Sequence, residues 1–294
     1  MRRVAVALLL AAAGHAQKQP VWWQCEPCAA TDPLYRTLGS SPAGDGLMVN
    51  TAREVAAIVQ SNYEYSPIFV ARLLRPSNTW LIALSGMQLF RHDQATGTTQ
   101  ALAAAFGAPS EYSDLIMRAW YEMRIPPDAR VILAGHSLGA MESENLVIHP
   151  QHGAKVRSQV QRIVAFGAPA LRYLTIDARD IRRFMYINDY ILPMLRHLKA
   201  PSSHLSESFL TMIPYTRGNG DPHNSYQTSP VLDGYDAFGD RMGGQGFARS
   251  MVIDKRVMWR CRANKIALQY PHDATSRASV NPRGMPHTSP TRPT

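Results

Sequence analysis

The chain is short of cysteine, of long apolar runs and of acidic residues, and each shortage excludes something. Only Cys25, Cys28 and Cys261 are present. Cys25-Glu26-Pro27-Cys28 has no second close pair to complete a four-ligand zinc site and no thioredoxin-like βαβ pattern around it. A structural disulfide is therefore expected, with its partners left open. Beyond residues 4–13 no run is long and apolar enough for a membrane span, which takes about 20 helical residues, so the mature protein is expected to be soluble. Acidic residues number 22 against 31 basic ones, a net charge of +9, and part of the excess sits in Lys255, Arg256, Arg260, Arg262 and Lys265. Such a cluster can attract anionic lipid headgroups or nucleic acid. No nucleic-acid-binding motif accompanies it, so it is read as a solvated basic face and no nucleic-acid partner is expected. There is no internal repeat.

What is present suits one globular domain with tails: 294 residues, 45% of them hydrophobic and 18% charged. Residues 1–16, MRRVAVALLLAAAGHA, combine two arginines, an apolar run and small residues. That is the layout of a secretory signal peptide cut after Ala16, and it implies a secreted or periplasmic protein. Residues 17–46 are rich in Pro, Gly and polar residues and are expected to be irregular, residues 47–273 to form the domain, and residues 274–294 to be a disordered tail. Within the domain, helical spacing of Val49, Ala52, Val55, Ala56, Val59 and Tyr63 predicts a helix over 48–63. The β-rich runs 68–74 and 79–84 flank Arg75-Pro76-Ser77-Asn78 and predict a hairpin. Helices are expected over 97–106, 111–123 and 138–148. Unalternated apolar runs at 131–134, 163–166 and 183–187 predict strands buried on both faces. Strand, helix, strand at this spacing is the pattern of an α/β fold with a mostly parallel central sheet flanked by helices.

Gly135-His136-Ser137-Leu138-Gly139 lies between the buried strand and the helix that follows. A serine on a sharp strand-to-helix turn needs positive φ and neighbours without side chains, which Gly135 and Gly139 supply; this is the nucleophile elbow of α/β-hydrolases. The turn exposes the serine hydroxyl and aims helix-start amides, Leu138 among them, at an oxyanion beside it. In this fold the acid and then the histidine come later in the chain.

The run Gly135 to Ala140, then Phe166-Gly167-Ala168-Pro169, then Asn188-Asp189-Tyr190-Ile191-Leu192-Pro193, resembles the class 3 (fungal-type) lipases over roughly residues 48–230. The hairpin ending in Leu84-Ser85-Gly86 resembles that family's segment before its oxyanion loop. The resemblance implies Ser137 as nucleophile and Asp189 as acid, and Asp189 also follows a predicted strand, at the end where loops reach an elbow. Asp177 and Asp180 precede that strand. Four histidines lie between Asp189 and the tail: His197, His204, His223 and His272. His223, in Asp221-Pro222-His223-Asn224-Ser225-Tyr226, resembles the family's H-x-x-Y context and is preferred as base, with His204 its competitor.

Two departures stand out. Where the family has an arginine before the oxyanion glycine and a small hydroxyl residue after it, this chain has Ser85-Gly86-Met87, and Ala140 replaces a glycine. The Met87 N–H is still expected to stabilise an oxyanion together with that of Leu138. No metal or organic cofactor is required. The expected activity is carboxyl-ester hydrolysis through an acyl-enzyme, on a lipid or other ester, with a membrane or lipid surface as a possible setting. Met87, Leu89 and Phe90 are expected to form an acyl-chain rim with Phe209, Leu210, Met212 and Ile213. The alternatives are an inactive hydrolase fold that binds a surface through residues 255–265, and a phospholipase acting as a secreted toxin. Oligomeric state is not legible. Mass spectrometry of exported protein should find a chain beginning at Gln17; residues 1–16 still attached would refute the leader.

Overall fold

A computed structural model of the chain describes residues 21–87, 96–168, 181–189, 210–214, 221–243 and 248–265. Their strands are β1 (Val21–Pro27), β2 (Gly39–Ser40), β3 (Gly46–Val49), β4 (Ile68–Arg75), β5 (Thr79–Leu84), β6 (Arg130–His136), β7 (Val160–Phe166), β8 (Ile181–Tyr186), β9 (Leu210–Ile213) and β10 (Met251–Lys265). They join in one sheet of order β2-β3-β10-β4-β5-β6-β7-β8-β9, with β1 also paired to β10. The helices are α1 (Leu34–Thr37), α2 (Ala52–Tyr65), α3 (Thr98–Ala105), α4 (Glu111–Glu122), α5 (Leu138–Ile148) and α6 (Gly153–Gln159). Among the described residues no helix is long and apolar enough to cross a membrane.

The sheet is mixed. β5 to β9 pair in parallel, whereas β1, β2, β3, β4 and β10, together with the β4–β5 hairpin, pair antiparallel. This corrects the expectation of a mostly parallel sheet. Residues 17–46 are not irregular throughout: β1, β2 and part of β3 come from them. Residues 251–265, which include the basic cluster at 255–265, are a strand that enters between β3 and β4.

Alternation along the central strands divides the core. Ile68, Val70, Ile82, Leu84, Val131, Leu133 and Ile163 face α4 and α5 through Tyr112, Ile116, Trp120, Leu138 and Leu146. Phe69, Leu81, Ala83, Ile132, Val164, Phe166 and Phe184 face α2 through Val55, Ile58 and Val59. Burial on both faces is what the unalternated apolar runs require. The hairpin and the βαβ order stand as expected. Helix α2 begins at Ala52 rather than residue 48, because Met48 and Val49 belong to β3. Thr51 caps the helix: its hydroxyl accepts the Glu54 N–H while the Glu54 carboxylate accepts that of Thr51.

Cys25 and Cys261 are bonded across the β1–β10 pair, and Cys28 is a free thiol. Burial and the nearby Asp32 carboxylate push the Cys28 thiol up to about 12, so it stays protonated at ordinary pH. Arg260 departs from the reading of 255–265 as a solvated face, while Arg256 keeps to it with a side chain 73% exposed. Arg260 is 8% exposed, with Nε and Nη2 donating to Asp32 at 2.8 and 3.1 Å and Nη1 to Asn62 at 2.6 Å. Arg256 pairs with Asp254 and Arg262 with Glu26. Arg260 is therefore engaged inside the fold, whereas the Arg256 and Arg262 pairs lie at the surface.

The disulfide closes a separation of 236 residues, and a native bridge of this kind contributes about 2–4 kcal/mol. Cys25→Ser should lower the denaturant midpoint accordingly, and a reductant should reproduce the loss in wild type but add nothing in the variant. Equal midpoints under oxidising conditions would contradict the bridge.

Candidate functional site

Strand β6 ends at His136 and α5 begins at Leu138, leaving Ser137 to make the whole turn. Its φ of +53° and ψ of −118° lie where a side chain is rarely tolerated. The Ser137 N–H donates to Phe166 O at 2.9 Å, and its carbonyl accepts from the Ala140 and Met141 N–H groups, opening the helix. The flanking glycines are required by close approach. A Cβ on Gly135 would strike the Gly139–Ala140 backbone, and one on Gly139 would strike the carbonyls of Leu84 and Ser85 at the end of β5.

That last contact brings the end of β5 against the elbow. A Cβ on Gly86 would lie 2.8 Å from Ser137 Cβ, so the Gly86-Met87 backbone passes beside the serine. Among the described residues the amides of Met87 and Leu138 donate to no acceptor. Both are available to a negative oxygen bonded to a carbon at Ser137.

Asp189 follows β8 and His223 lies in a turn at 221–224; both are buried. His223 Nδ1 is 3.0 and 3.1 Å from the two Asp189 oxygens. A carboxylate only accepts, so Nδ1 carries the proton and Nε2 the lone pair, the tautomer a general base needs. The Tyr226 hydroxyl donates to Asp189 Oδ2 at 3.0 Å and accepts the Tyr186 N–H at 3.2 Å. Burial beside the Asp189 charge pushes the Tyr226 phenol up, so it stays a donor. Both fixed residues of the H-x-x-Y pattern therefore converge on one carboxylate. The sequence reading missed the part played by this tyrosine, although the pattern itself was its signal. Ser137 adjoins the pair through its neighbour: the His136 ring packs on that of His223 with centroids 4.5 Å apart.

The alternatives His197, His204, His272, Asp177 and Asp180 lie outside the described residues, as do residues 1–16, the tail and, of the acyl rim, Leu89, Phe90 and Phe209. Of that rim Met87 is half-buried, Met212 is 40% exposed and Ile213, the last residue of β9, is fully buried in the core. Ile213 is thereby removed from any surface that meets substrate.

Asp114, His149 and His152 place one donor atom each within 4.8 Å of one another. His149 Nδ1 already accepts the N–H groups of Gln151 and His152, at 3.2 and 3.3 Å, which puts the ring proton on Nε2. A cation there would have to displace those bonds or that proton, so the cluster is not preorganised for a metal. No protein family, curated protein or solved structure matches the chain.

Glu142 on α5 is fully buried and accepts the Ser110 hydroxyl that caps α4. Burial pushes its carboxyl up to about 8, with the Asp114 charge adding to the shift. A carboxyl neutral in the fold and ionised in the unfolded chain supports the fold fully below its ordinary value of 4.5, and the support is lost as pH rises towards 8. The unfolding midpoint of wild type should therefore fall between about pH 5 and pH 8, and Glu142→Gln should flatten that slope. Identical slopes would contradict the assignment.

Proposed function

We propose that the chain is a serine hydrolase of the α/β-hydrolase type that cleaves carboxyl esters, with lipids, acylglycerols or phospholipids as the substrate class implied by its resemblance to the class 3 lipases. The observation that carries this reading is a serine held at positive φ whose neighbour His136 packs on a buried histidine, itself with Nδ1 3.0 Å from an aspartate. In the proposed reaction Ser137 Oγ attacks the ester carbonyl while His223 Nε2 takes its proton, and Asp189 stabilises the imidazolium. The Met87 and Leu138 amides receive the oxyanion; each such donor is worth roughly 10²–10³ in rate. The imidazolium then protonates the departing alkoxide, leaving Ser137 acylated, and a water activated by His223 releases the acid. Met87 contributes its N–H alone, since its side chain has no hydroxyl to add a further bond.

The proposal includes export through residues 1–16 and action on an ester dispersed or at a lipid surface. Of the segment the inactive surface-binding alternative would use, Arg260 is buried against Asp32 and unavailable to a ligand, and Arg256 stays exposed. The test is a panel of p-nitrophenyl esters of rising chain length beside phospholipid release. Wild type should turn over part of the panel, and Ser137→Ala should lose on the order of 10⁴ or more while keeping its fold. Turnover by Ser137→Ala within about tenfold of wild type would sink the proposal.

A further inference from the structure

Behind the serine and its base lies a second hydrogen-bonded pair that the reaction above does not use. His136 is fully buried, and its ring rests against that of His223. Its Nε2 is 2.5 Å from the His223 main-chain carbonyl. A carbonyl only accepts, so Nε2 carries the ring proton and Nδ1 the lone pair. The Tyr63 hydroxyl of α2 stands 2.6 Å from that Nδ1 and must donate to it. The tautomer is thus set from both ends.

We propose that His136, held by Tyr63, is a positioning residue for the base: it fixes the main chain of His223 as Asp189 fixes its ring. This rests on the serine-hydrolase reading. His223 belongs to a loop, and loops need anchoring before they can present a group with sub-ångström accuracy. Asp189 restrains Nδ1, and the His223 N–H donates to Asp221 Oδ1 at 2.9 Å within the same loop. The bond from His136 to the carbonyl of the same residue ties that main chain to the end of β6. It also ties the base to the nucleophile's strand, since His136 is the residue before Ser137. Displacing a catalytic group by about 1 Å can cost on the order of 10²-fold in rate.

The chemistry of the neighbour matters as well as its place. A cation stacked on His223 would oppose the imidazolium that forms during proton transfer. Burial, with the adjacent His223 ring adding to it, pushes His136 down to about 3, so it stays neutral beside the base. Tyr63 offers Nδ1 a donor, which spares a buried lone pair the cost of going unpaired.

The experiment measures kcat and KM on a short-chain p-nitrophenyl ester, with the rate of fluorophosphonate labelling as a second readout. His136→Phe keeps a ring and removes the donor; kcat and the labelling rate should fall about 10–100-fold with KM little changed. His136→Gln returns an amide N–H towards the carbonyl and should recover activity to within about fivefold of wild type. Tyr63→Phe, which removes one oxygen and guards against misfolding of the bulkier change, should lower kcat about 3–10-fold at unchanged KM. Folded His136→Phe and Tyr63→Phe proteins with wild-type kcat would overturn the proposal. So would a His136→Gln protein as impaired as His136→Phe, because a role in packing alone is indifferent to the donor. Wild type that neither labels nor turns over would instead defeat the hydrolase reading beneath it.

Discussion

A non-glycine residue at positive φ costs on the order of 1–3 kcal/mol and persists only where its surroundings over-determine it. At Ser137 they do. Strand β6 is held between parallel β5 and β7 with both faces buried, so the chain arrives at the turn rigid. The serine's own N–H and carbonyl are satisfied by Phe166 and by the start of α5. Helix α5 is in turn pinned by two buried acids: Glu142 to the Ser110 hydroxyl, and Glu144 to Arg183 of β8 at 2.9 Å. That ion pair joins the helix that begins after Ser137 to the strand that ends near Asp189. Breaking a buried pair leaves an uncompensated charge, which keeps the two elements in register.

The two halves of the sheet divide the labour. The parallel half delivers Gly86-Met87, Ser137, Phe166-Gly167 and Asp189 from the carboxyl ends of successive strands, and the segment 221–226 closes over them with His223 and Tyr226. Neighbouring parallel strands end on the same side, so the convergence follows from topology and requires no long reach by any loop. The antiparallel half carries the Cys25–Cys261 bridge and the Arg260–Asp32–Asn62 cluster, which link the ends of the described chain.

The parallel half was largely legible because its signals are local. An apolar run, two glycines around a serine and an acid after a later strand are each read within a few residues. The antiparallel half was not, because its determinants are distant. Whether Arg260 is solvated or buried depends on Asp32 and Asn62, far away in sequence, and alternating basic and apolar residues look the same on an exposed strand as on one flanked by partners. The strand at Val21–Pro27 pairs with residues beyond 258, so its Pro-rich and Gly-rich surroundings were misleading. The start of α2 was readable and overlooked: Thr51-Ala52-Arg53-Glu54 is a capping-box sequence. His136 went unassigned because it fills a variable position of the motif, and only its contacts with Tyr63 and His223 distinguish it from a filler.

The account stands or falls on whether the turn at Ser137 presents an activated hydroxyl. The most direct measurement is peptide mapping by mass spectrometry after brief exposure of the folded protein to a fluorophosphonate. One adduct per chain on the peptide containing Ser137, abolished when the protein is unfolded beforehand, is the expected result. An adduct on another residue, or an unmodified Ser137 in folded protein, would contradict it.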